Sequence, residues 1–131
     1  MRAEGTFTVA LAPLPTVGGA LTPTLAHYSI DKQFHGALEG SSKGEMLSAG
    51  TGTEGSAGYV AMEHVTGTLG GRRGSFSLQH TGSMNRGVPT LSVTVVPDSG
   101  TDELAGLAGS LDIIRADGKH SYVFEYSMAP R

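Results

Sequence analysis

The chain has 131 residues, 9 basic and 12 acidic, a formal net charge of −3 and only 16% charged side chains alongside 20 glycines. That length suits one domain with a real core, and the shortage of Glu, Lys and Arg favours strands and tight turns over surface helices. With no cysteine there is no disulfide, thiolate metal site or cysteine nucleophile, and with no Lys/Arg run or basic amphipathic stripe there is no footprint for nucleic acid or a membrane surface.

Period-two alternation between turn signals predicts eight strands. The first, about Arg2 to Leu11, puts Phe7, Val9 and Leu11 on one side. This opening lacks the long apolar core of a secretory signal, and no transmembrane run follows, so a soluble cytoplasmic protein is the expectation. Pro13, Pro15 and Pro23, with Gly18-Gly19, mark a loop. The second strand, about Leu25 to Phe34, faces Tyr28, Ile30 and Phe34 inward, and Lys32 shares their parity. The third, about Ala37 to Leu47, separates Leu38 and Met46 by Gly40, Ser42 and Gly44, small residues that let a barrel wall bend or leave space inside. Ala49 to Gly58 reads as a loop or hairpin tip.

Tyr59 to Gly82 reads as a hairpin about Gly71-Arg72, since glycine at the first central position suits a primed turn. That register opposes Val65 to Leu78, Gly67 to Phe76 and Glu63 to His80 on an apolar face. Thr66, Thr68, Ser75 and Ser77 fall on a polar face. Glu63 and His80 are the exceptions on the greasy side. After a loop at Ser83 to Pro89, the sixth strand, about Thr90 to Val96, faces Leu91, Val93 and Val95 one way. In PDSGTDELAGLAG, Thr101 is an expected N-cap for one short helical turn at about 101–105, whose Leu104 and Leu107 plug an end of the core. Asp117-Gly118 turns the last hairpin, pairing Ile113 with Tyr122, Leu111 with Phe124, Gly109 with Tyr126 and Arg115 with His120.

Sequential hairpins with few edge-blocking charges or prolines predict an all-β fold, an eight-stranded antiparallel barrel closed on itself, with a two-sheet sandwich as the alternative. The segments EGSSKGEMLSAGTGTEGSAGYVAMEHVTGTLGGRRGSFSLQHTG, VVPDSGTDELAGLAGSLDI and DGKHSYVFEYSM resemble an uncharacterised bacterial family, domain-of-unknown-function family 3224. The resemblance spans about Phe7 to Tyr126. It implies an allene-oxide-cyclase-like barrel, often a homodimer, with no assigned reaction. No motif of the distantly related cyclases matches residue by residue, so no catalytic residue is carried over.

Directly opposed side chains can hydrogen-bond, so Glu63 and His80 form a candidate proton-transfer pair for an isomerisation or cyclisation. The plainer alternative is a polar pair that fixes strand register. Tyr28, Tyr122 and Tyr126 offer hydroxyls, Lys32 a cation, and Phe76 and Phe124 apolar surface to a small apolar or carboxylate ligand in an occluded cavity. The competing reading makes the tyrosines core rings and Lys32 a snorkelling edge residue. His27, His35, His64, His80 and His120 contain no His-x-His pair, so no metal or other cofactor is expected. The glycine-rich runs lack the helix and lysine of a phosphate-binding loop.

Overall fold

The alternation carries through into strands β1 (Arg2–Leu14), β2 (Leu25–Gly36), β3 (Leu38–Gly50), β4 (Ala57–Leu69), β5 (Arg72–Asn85), β6 (Val88–Val95), β7 (Leu107–Ala116) and β8 (Lys119–Met128). In the computed structural model, which describes residues 1–21 and 24–129, they close into an antiparallel barrel in chain order. Closure removes most of the exposed sheet edge, which a chain with so few charged residues could not otherwise protect. Two 3-10 turns accompany the strands, the expected one at Asp102–Leu104 and a second at Gly19–Leu21.

Three local expectations need correction. First, the β4–β5 turn is Gly70-Gly71, not Gly71-Arg72. Both glycines have positive φ, 58° and 85°, which a type I′ turn demands at both central positions and an arginine supplies only with strain. The pairing therefore slides by two residues: Val65 opposes Phe76, Glu63 opposes Leu78, and His80 opposes Ala61. An even slide keeps every side chain on its predicted face. Second, Pro13 lies inside β1, paired with Tyr28, not in a loop. Pairing with β8 stops at Phe7, so the far half of β1 has a free side where a missing N–H costs nothing. For the same reason Leu11 is 51% exposed. Pro23, also read as a loop marker, falls outside the described residues.

The third correction concerns Thr101, which occupies the N-cap position without a capping bond. Its Oγ1 instead accepts from the Ser75 amide at 3.0 Å. β6 has only 8 residues and pairs β5 no further than Leu78. Beyond that point a strap takes the place of a strand along β5: Ser99 Oγ accepts from the Ser77 amide and Glu103 Oε1 from the Arg73 amide. Across the β6–β7 seam the ladder contains one pair, Thr94 with Ser110.

One end of the barrel is packed shut. Phe34, Leu38, Leu69, Phe76, Leu104, Leu107 and Phe124 fill it, with Phe76 against Phe124 at 5.9 Å between ring centroids. Tyr122 is the polar pin of this plug. Its hydroxyl accepts from the Leu38 amide at 2.9 Å and faces the carbonyls of Leu38 and His35 at 3.0 and 3.1 Å. Tyr122→Phe, which leaves that amide and those carbonyls without their partner, is expected to cost about 1–3 kcal/mol. Urea titration should show a lower midpoint at an unchanged slope.

The other end is not packed. Leu11, Met84 and Leu91, all inward by alternation, remain 51%, 43% and 44% exposed. Val9, Tyr28, Met46, Tyr59 and Ile113 are half-buried on the same lining. The result is a cup: a solid base and an open, mainly apolar mouth.

Candidate functional site

Four adjacent strands each send one polar side chain into the floor of this cup. Lys32 comes from β2, Ser42 opposite it on β3, Glu63 from β4 and His80 from β5. All are buried. Gly44 makes the arrangement possible, because it faces Glu63 across the β3–β4 ladder and a Cβ there would fall 2.8 Å from the Cβ of Glu63. No side chain heavier than hydrogen fits.

Glu63 is the hub. Its Oε1 accepts from Lys32 Nζ at 2.9 Å and from His80 Nε2 at 2.6 Å, and its Oε2 from Ser42 Oγ at 2.5 Å. His80 reaches it diagonally from the ladder position beside Leu78, which is why the pair survives the register slide. Burial pushes the Glu63 carboxyl up, but the hydrogen bond from His80, the Lys32 charge and the Ser42 hydroxyl outweigh it and hold the group at about 2. At neutral pH Glu63 is an anion and cannot donate, so the hydrogen on the 2.6 Å bond belongs to His80 Nε2. Nδ1 of His80 has no hydrogen-bond partner among the described residues, and no buried side-chain nitrogen or oxygen there lacks one, so Nδ1 keeps contact with solvent. Lys32 Nζ also lies 5.0 Å from the ring centroid of Phe7 and 5.8 Å from that of Phe34, a stabilising placement for a desolvated cation.

Accessibility ranks these groups. The side chains of Lys32 and His80 keep 7% and 4% of their surface, and that of Glu63 keeps none. Of the three, only the lysine and the imidazole keep any exposed surface, and Glu63 hydrogen-bonds both. Tyr28 stands half-buried on the wall of the mouth. Phe76, Phe124, Tyr122 and Tyr126 lie toward the plugged end, Tyr126 packed on Phe124 at 5.3 Å between centroids. Sequence reasoning left two lining residues out of the candidate site. Ser42 shares inward parity with Leu38 and Met46, and Tyr59 shares it with Glu63, so alternation alone could have found both. Tyr59 lays its ring over Gly82. Burial raises its hydroxyl pKa, the charge of Arg115 opposes that, and Glu63 adds to it.

A groove of about 490 Å³ is also present, lined by Leu47, Val60, Met62 and Gln79 on the outer wall together with Met46, Ala61 and His80 of inward parity. It runs over Leu47, Val60 and Met62, which alternate with inward residues and are 44%, 52% and 50% exposed. Among the described residues no group of three or more His, Asp or Glu side chains is placed to hold a metal ion. None of their helices is long and apolar enough to cross a membrane.

Residues 3–126 match the profile of a family described as Protein of unknown function (DUF3224). The chain belongs to this family. A crystal structure of a protein of unknown function from the same family, from Shewanella oneidensis MR-1, is 44% identical and superposes with a TM-score of 0.94, over 100% of this chain and 98% of that one. The closed eight-stranded barrel is thus an architecture the two proteins share. No curated protein matches the chain.

Proposed function

We propose that the protein binds a small, largely apolar molecule in the open mouth of the barrel, above Lys32 and His80. The observation that carries this reading is the asymmetry of the lumen. Apolar side chains that closure could have buried stay 43–51% exposed at one end, directly above a fixed lysine and imidazole. Glu63 serves as a positioning residue, with Tyr28 and Tyr59 as walls. Titration with Nile red, an uncharged apolar dye, tests the site. Leu91→Glu at the mouth should abolish the fluorescence rise, and Met62→Glu in the outer groove should leave it intact. The opposite pattern would move the ligand to the outer wall.

One observation favours a second, catalytic reading. A carboxylate that fixes the hydrogen on Nε2 leaves Nδ1 of His80 as a lone-pair acceptor in the neutral ring, the arrangement of an oriented general base. His80 would take a proton from a carbon acid and return it to another position, an isomerisation or cyclisation that needs no co-reactant. A ligand carried through purification in ²H₂O should then gain deuterium with wild-type protein. With His80→Gln it should still bind but not exchange. Equal labelling by both proteins would leave binding alone.

A further inference from the structure

Charge is distributed between the outside and the lining in opposite senses. The chain is acidic overall, at −3, yet Glu63 is the sole buried acid and every other aspartate and glutamate is exposed. The inward parity of the strands meanwhile carries Lys32, His80, Arg115 and His120. Arg115 and His120 pair across the β7–β8 ladder near the mouth. His120 stacks on Phe7 at 5.1 Å between centroids, the same ring that lies 5.0 Å from Lys32 Nζ. The two basic groups thus flank one aromatic side chain. Arg115 on β7 also acts electrostatically on Tyr59 on β4, a strand that is not its neighbour in the sheet. Its charge is therefore felt across the lumen. Within that space the one carboxylate is already saturated by Lys32, His80 and Ser42, and Arg115 has no carboxylate partner among the ion pairs of the described residues.

From this inversion we infer that the ligand is an amphiphilic anion, a molecule with an apolar body and a carboxylate or comparable acidic group, and that Arg115 at the rim is its charge-recognition residue. The inference rests on the proposed binding reading and narrows it. A cationic rim on an acidic protein draws anionic solutes into the mouth while the outer surface repels them. The guanidinium fork suits a carboxylate better than a point charge would. Arg115 is exposed and outside the buried cluster, so its replacement leaves the fold intact.

Decanoate, decan-1-ol and decylamine, below their aggregation limits at neutral pH, form the test by calorimetric titration. Decanoate should bind about tenfold tighter than decanol, the factor one charge-assisted contact provides, and decylamine weakest. Arg115→Gln should remove most of the decanoate advantage and leave decanol unchanged, and added salt should do the same. Equal affinity for the acid and the alcohol, or preference for the amine, overturns the anion assignment while leaving the binding reading in place. If none of the three binds, the binding reading falls and this inference with it.

Discussion

Glu63→Ala is expected to destabilise the barrel by about 3–5 kcal/mol, because it strands a buried cation rather than deleting a single contact. Lys32 keeps only 7% of its side chain accessible, too little for water to replace the lost carboxylate. His80 and Ser42 lose their acceptor at the same stroke. The size of the effect depends on Lys32 staying charged, and that supplies the control. Glu63→Ala combined with Lys32→Met should recover much of the loss, since a well-packed apolar pair is often neutral or better than a buried ion pair. Urea midpoints of the wild type, both single variants and the double variant complete the cycle. A loss below about 1 kcal/mol in Glu63→Ala would mean that the pair behaves as a surface salt bridge.

Most of the architecture was legible in the sequence because the barrel writes itself in alternation. Asp117-Gly118 fixed the last hairpin residue for residue, down to Arg115 opposite His120. The β4–β5 hairpin was read on the right faces in the wrong register. Three consecutive candidates, Gly70, Gly71 and Arg72, compete for two turn positions, and alternation cannot distinguish a slide of two. Pro13 misled for a different reason. It reports a free N–H side, which a loop and an unpaired strand edge share, and only the short reach of β8 along β1 separates them. The site was half legible. Parity brought Glu63, His80 and Lys32 to one face, yet nothing in the sequence showed that Lys32 and Ser42 would converge on the same carboxylate. That convergence depends on the lateral order of β2, β3, β4 and β5 and on the bare backbone of Gly44. Which end of the cup is open was not readable at all, since it follows from the strap and from where β8 ends.

Acid should dismantle the same cluster, and the direction follows from the carboxyl group. Held at about 2 in the fold against an ordinary value of 4.5, Glu63 binds its proton more weakly folded than unfolded. Its contribution to stability is complete above the ordinary value and is lost as pH falls through the interval down to about 2. A shift of that size corresponds to on the order of 3 kcal/mol. Other carboxylates titrate in the same range, so the measurement is a difference: urea stability of wild type minus Glu63→Gln at successive pH values. Glutamine cannot ionise and leaves Lys32 buried without a counter-charge throughout. The gap should be widest near neutrality and close steadily as pH falls from about 4.5 toward 2, because the unfolded chain's carboxyl takes up its proton across that interval while the folded one takes its own only at the bottom of it. A gap that instead changes in favour of the wild type as pH falls from neutrality to about 4.5, and is constant below, would show a carboxyl group already neutral at neutral pH. The hydrogen on the short bond to His80 would then sit on the acid, Nε2 would be the acceptor, and Nδ1 would carry a hydrogen toward the mouth instead of a lone pair. One titration therefore decides both how the floor of the cup is held together and whether His80 can act as a base there.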